Sequence, residues 1–140
     1  MTRPTAIQKI LSLNDTGETG GHQSGILIPR REEILHFFPE LSKKEKNPRV
    51  MITFTDDLQQ QWMFSYIYYN NRFYGGTRNE FRLTRMTRYM GQHNLKAGDV
   101  LTLRRDIDSI YTVEHTVVHE RTTSSDKVLK LGDNWKVVSI

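Results

Sequence analysis

The constraint that bears hardest on the fold of this chain is a two-residue periodicity. Over Trp62-Met63-Phe64-Ser65-Tyr66-Ile67-Tyr68-Tyr69 the aromatics Trp62, Phe64, Tyr66 and Tyr68 alternate, so an extended backbone puts all four on one face. Val50 to Phe54, Val100 to Leu103, Tyr111 to His119 and Trp135 to Val138 are similarly rich in β-branched and aromatic residues. Turn formers separate them: Asp56-Asp57, Asn70-Asn71, Gly75-Gly76, Ala97-Gly98-Asp99 and Gly132-Asp133-Asn134. Short strands so closely spaced bury their alternate faces by curling into a small barrel. The aromatic row is then core, not a stacking platform for single-stranded bases. Pro29 to Phe38 reads as a helix, with Pro29 in the first turn, acids early and Pro39 as the stop. Leu83 to Met90 is expected to finish as a second short helix near Gly91.

At 140 residues the chain is expected to form a single domain, 1–140, with one core. No cysteine is present, which removes disulfides, thiol nucleophiles and Cys-based zinc sites and is compatible with a reducing, cytoplasmic setting. No apolar run is long enough for a signal peptide or a membrane span. Net charge is +4, but it is unevenly spread: Asn70 to Arg105 holds eight basic residues against two acids, leaving the remainder slightly acidic. A basic segment on a near-neutral body is the electrostatic footprint of nucleic-acid binding, or else a solvated face.

Catalytic motifs are missing. No Asp or Glu has Lys two positions later, as a common restriction-nuclease centre requires, and there is no Gly-x-Ser-x-Gly elbow or P-loop. His115 and His119 have zinc-ligand spacing for a helix, but their segment alternates like a strand and no third ligand stands out.

Thr77-Arg78-Asn79-Glu80-Phe81-Arg82, after the Gly75-Gly76 pair, has the side-chain types that read base edges. Arg bonds guanine O6 and N7, Asn bonds adenine N6 and N7, and Glu accepts from cytosine N4. Arg78, Glu80 and Arg82 alternate and can share a groove-facing side, with Phe81 turned into the barrel. A second polar segment, Asn14 to Gln23, could present Asp15, Thr16, His22 and Gln23 from a Gly-rich loop; it could equally be a surface turn cluster bonded to itself. Lys43 and Lys44 could touch phosphate or simply be solvated.

The segments NDTGETGGHQSGILIP (14–29) and YYNNRFYGGTRNEFRLTR (68–85) closely resemble the N-terminal effector domain of EcoRII-type restriction endonucleases. LKAGDVLTLRR (95–105) and the IP-helix-FP pattern at 28–39 resemble the plant B-three domains, which share that DNA-binding pseudobarrel. The resemblance covers most of the chain and thins after Asp106. It implies a mainly β (α+β), seven-stranded pseudobarrel with one or two short helices, gripping the major groove as a monomer between two arms, Lys9 to Gln23 and Arg72 to Arg82. It further implies recognition of 5′-CCWGG. Base readers are then expected among Asp15, Thr16, His22, Gln23, Arg78, Asn79, Glu80 and Arg82, and backbone contacts among Lys9, Lys43, Lys44, Arg72, Thr77, Arg85 and Arg88. Gly76 and Phe81 stand where the family pattern carries lysines. The expected partner is double-stranded DNA, and no cofactor is expected in this domain. Magnesium would serve only a separate, fused nuclease domain, of which this chain, ending mid-pattern at Ile140, would be the targeting piece. The alternatives are a stand-alone transcription factor of the same fold, a compact metal-dependent nuclease using His115 and His119, and a structural or RNA-binding barrel.

Overall fold

The computed structural model describes residues 5–20, 25–118 and 132–138. Its strands are β1 (Ala6–Ile10), β2 (Ile26–Ile28), β3 (Arg49–Thr55), β4 (Gln61–Tyr69), β5 (Glu80–Thr84), β6 (Val100–Arg105), β7 (Tyr111–Thr116) and β8 (Trp135–Val137). They form one curled sheet in the order β2-β5-β4-β3-β7-β6-β1-β8. All neighbours are antiparallel except β3 and β7, which pair in parallel only at Phe54↔Tyr111 and Thr55↔Thr112. Among the described residues eight strands are assigned where the resemblance implies seven; the count depends on the edges, since β2 and β8 are three residues each.

Side chains almost join those two edges. The Trp135 indole N–H donates to the Leu27 carbonyl at 3.0 Å. The Arg31 guanidinium, just after β2, holds both Asp133 carboxylate oxygens (3.0 and 3.1 Å) and the Trp135 carbonyl (2.8 Å). Burial works to raise the Asp133 carboxyl, but the Arg31 hydrogen bond and charge hold it below its ordinary value.

The alternation of β4 appears in its first half, where Trp62, Phe64 and Tyr66 are buried and Gln61 and Met63 exposed; beyond it Ser65 and Ile67 are buried too, and Tyr68 is half-buried. Phe38 stacks on Tyr66 at 4.4 Å, and Phe54 packs against Phe64 and Tyr111 at 5.2 and 5.3 Å. Fully burying each such ring stabilises the fold by about 1.5–3 kcal/mol. Ile7, Ile26, Leu83, Leu101 and Leu103 complete the core.

The helices are shorter than the sequence suggests. In place of Pro29 to Phe38, α2 covers Glu32–Leu35, with Pro29 outside it. Arg31 stays extended (φ −93°, ψ 127°) because its guanidinium is held on Asp133 and Trp135. The second expected helix starts later: β5 continues to Thr84 and α3 covers Thr87–Gln92. Arg85 lies between them at φ +66°. Part of the supposed loop from Asn14 to Gln23 is helical, α1 (Leu13–Thr16). Ser12 and Asp15 form a reciprocal capping box, and Gly17 ends the turn at φ +83°. The buried Asp99 carboxylate organises the 96–99 turn, accepting from Lys96 N and Val118 N at 2.8 Å each.

Candidate nucleic-acid interface

The hexad and the connection before it form a self-braced arm between β4 and β5. Asn71–Tyr74 makes one 3-10 turn, ended by Gly75 at φ +91°. The Asn71 side-chain oxygen accepts from Arg78 N at 2.7 Å, Gly76 N bonds Asn71 O at 2.7 Å, and Arg72 N bonds Arg78 O at 3.0 Å. A Cβ on Gly76 would lie 2.7 Å from the Asn71 side chain, so that close approach favours glycine here. The arm's root is fixed by two asparagines that exchange bonds: Asn47 N to Asn70 Oδ1 at 2.7 Å and Asn70 N to Asn47 Oδ1 at 3.1 Å. Asn70 Nδ2 also donates to Glu45 O, and the Tyr74 hydroxyl donates to Lys44 O. The lysine loop is thus secured beside the arm, with Lys43 and Lys44 exposed.

At the root, three charges alternate on one face. Glu80 Oε1 receives Arg78 Nε at 2.9 Å and Nη2 at 2.8 Å, and Glu80 Oε2 lies 3.3 Å from Arg82 Nη2. Arg78 also lies over the Tyr69 ring, 3.7 Å from its centroid, a cation–π contact worth about 0.5–1 kcal/mol. Burial works to raise the Glu80 carboxyl, but the Arg78 hydrogen bond and the Arg82 charge outweigh it and hold the group below its ordinary value. Partly exposed ion pairs contribute about 0–1 kcal/mol, so the triad organises more than it stabilises. Arg78 Nη1 has no protein hydrogen bond among the described residues and is free to donate outward.

Arg82 joins this arm to the end of the first segment. Its Nη1 donates to the Gly25 carbonyl at 3.1 Å, and its Nε is buried with no partner among the described residues. Gly25 sits at φ +87°, where a Cβ would meet Leu83 O at 2.3 Å. The sequence reading missed Gly25, Tyr69, Asn70 and Asn71. Gly25 carried a signal as an isolated glycine before an apolar run, and Asn70-Asn71 was visible only as a turn, without its bracing role.

A family model described as restriction endonuclease EcoRII, N-terminal, matches residues 4–126. The chain belongs to the EcoRII N-terminal family. The type II restriction enzyme EcoRII of Escherichia coli is 41% identical over 99 residues, which are 68% of this chain and 24% of that enzyme. The chain therefore spans about a quarter of the relative's length. A solved Arabidopsis FUS3–DNA complex has a similar fold, with TM-score 0.59 at 22% identity, over 78% of this chain and 93% of that one. The plant-domain likeness read from 28–39 and 95–105 is thus a likeness of fold.

Within this EcoRII N-terminal fold the expected site residues separate into groups. Arg78, Glu80 and Arg82 come together, and Phe81 turns inward to stack on Tyr68 at 4.2 Å. Arg72, Thr77, Arg85 and Arg88 are exposed, but Arg88 lies over Trp62, 6.0 Å from its ring, toward the other end of β4. The Asn79 side-chain oxygen accepts from the Tyr68 hydroxyl at 2.5 Å, beside the Tyr68–Phe81 stack. Lys9 and Asp15 are engaged within the protein. They are 7% and 5% exposed and pair at 3.5 Å, with Lys9 Nζ donating to Asp133 O and Asp15 accepting from Ser12 N. Each has work inside the protein, because the cap of α1 draws Asp15 inward over β1. Thr16 is half-buried, and its hydroxyl donates to Glu18 at 2.8 Å. His22 and Gln23 lie outside the described residues.

Of the two histidines in the compact-nuclease alternative, His115 bonds the Tyr89 hydroxyl through Nδ1 at 2.7 Å, and its ring packs on His93 at 4.4 Å. Among the described residues no three His, Asp or Glu side chains are grouped to hold a metal, and His119 is not among them.

Proposed function

We propose that this chain is the DNA-reading effector domain of a type II restriction endonuclease, recognising 5′-CCWGG in the major groove as a monomer, with cleavage carried by a separate, fused nuclease domain. The observation that carries the reading is the Arg78–Glu80–Arg82 row at the root of a braced arm. Phosphate adhesion alone needs only cations. A carboxylate between two guanidiniums weakens it, yet supplies an acceptor for cytosine N4 between two donors for guanine. Each C·G pair of CCWGG presents both bases in the major groove.

Gly25 supports the two-arm form of the reading, since the segment leading into β2 touches Arg82. Arg78 and Arg82 act as guanine readers, Glu80 as the cytosine reader, and Arg72, Thr77, Arg85, Arg88, Lys43 and Lys44 as backbone contacts. His22 and Gln23 remain candidates for the first arm. Lys9 and Asp15 set that arm's base instead of reading sequence. Such a domain acts by raising the nuclease's local concentration at the site or by releasing its activity.

Binding selection from random duplex DNA tests this directly. The wild type should enrich CCWGG, and Arg82→Ala should lose about 1–3 kcal/mol on that site while relaxing one position. Equal losses on the selected and on random DNA would reduce Arg82 to a phosphate contact. A chain that enriched an unrelated site, complete in its natural length, would favour the transcription-factor alternative.

A further inference from the structure

Three large apolar side chains protrude from loops: Leu58 at 71% exposure, Ile107 at 94% and Phe73 at 67%. Their surroundings differ in charge. Leu58 follows Asp56 and Asp57, and Ile107 lies between Asp106 and Asp108, so a polyanion would be repelled from both. Phe73 follows Arg72 and stands on the braced arm that also carries Arg78, beside the lysine loop. The neighbouring aromatic, Tyr74, is engaged by its hydroxyl bond to Lys44 O. Phe73 has only its backbone fixed, by Phe73 N to Asn70 O at 3.0 Å. A ring held outward on a rigid turn among cations is suited to an apolar feature inside an anionic groove. In the major groove that feature is the thymine C5-methyl.

We propose that Phe73 is a specificity-determining contact to a thymine methyl group, adding apolar readout to the polar readout of the triad. The contact rests on the DNA-reading function proposed above and deepens it. It gives the arm a way to sense a pyrimidine that offers no distinctive hydrogen bond to Arg78, Glu80 or Arg82. Rigidity of the turn matters here, because Asn70 and Asn71 already fix its backbone and only the Phe73 side chain has to order on binding.

The test uses the whole chain and the duplex enriched by the wild type, with each thymine replaced in turn by deoxyuridine, which lacks only the methyl. The wild type should bind about fourfold more weakly at one position, the value of one buried methyl group. Phe73→Leu should keep that dependence, and Phe73→Ser should bind the thymine and uracil duplexes alike. Both variants change an exposed side chain, and their melting temperatures check that they fold. The proposal is overturned if the wild type ignores every thymine-to-uracil change, or if Phe73→Ser retains the loss. Sequence-selective binding without methyl dependence would sink this contact alone. Absence of any preference among duplexes would sink the DNA-reading function and this contact together.

Discussion

In the proposed function, Glu80 is the residue on which the polar readout turns. Removing a carboxylate from a basic arm should, on charge alone, tighten binding to any DNA. If Glu80 both positions Arg78 and Arg82 and accepts from cytosine, Glu80→Ala should instead weaken binding to the selected site while strengthening or sparing random DNA. Competition titrations at fixed salt measure both, and tighter binding to the selected site would remove the cytosine assignment. Acid should do reversibly what the mutation does permanently. The Glu80 carboxyl is held below its ordinary 4.5, so its contribution is present above that value and is lost as pH falls through the depressed folded one. The alternation of Arg78, Glu80 and Arg82 was legible because side-chain direction along an extended chain has period two. The roles of Lys9, Asp15 and Asn79 were not. Polar residue types do not reveal whether a partner inside the protein will claim them, and Asp133, Ser12 and Tyr68 do so here.

At the scale of elements, the arm depends on how closely backbones approach. Gly25 combines φ +87° with a Cβ position 2.3 Å from Leu83 O, so Gly25→Ala must both strain the backbone and push β2 from β5. A loss of about 1–3 kcal/mol for the strained conformation is expected before that displacement is counted. Gly75, at φ +91° but with open space around its Cβ, should lose less on the same substitution. Urea denaturation of the two variants gives the comparison, and equal midpoints would show that close approach at Gly25 is not limiting. Elements long enough to show a period were visible in the sequence, as β3, β4 and β6 illustrate, whereas β7, expected to run on to His119, ends at Thr116. β2, at three residues, is too short to show any period, and β1 hides its pattern behind Gln8 and Lys9. The helix expected from Pro29 is a single turn that begins after Arg31, whose guanidinium is held by Asp133, just before β8 and 102 positions away in sequence.

The whole molecule sets the environment of its histidines. His115 lies against Tyr89 and His93, where burial, aided by the neighbouring imidazole, keeps its pKa below the ordinary 6.5 despite the opposing charges of Asp57, Asp99 and Asp56. As pH falls through 6.5, the unfolded chain takes up a proton there that the folded chain resists. Stability should therefore decline as pH drops below that value, and His115→Gln should flatten the decline. Melting temperatures between about pH 7.5 and 5 provide the measurement, and an unchanged slope would assign the effect to other groups. By itself the sequence determined the β class, the buried row of β4 and the charge pattern of the arm, because these follow from local periodicity and residue chemistry. Only the tertiary structure decided that β8 nearly closes the sheet, that Gly25 meets Arg82 across 57 positions, and which polar side chains stay outside. Those outcomes depend on which distant groups the curled sheet brings within hydrogen-bonding distance, and local pattern contains no record of that.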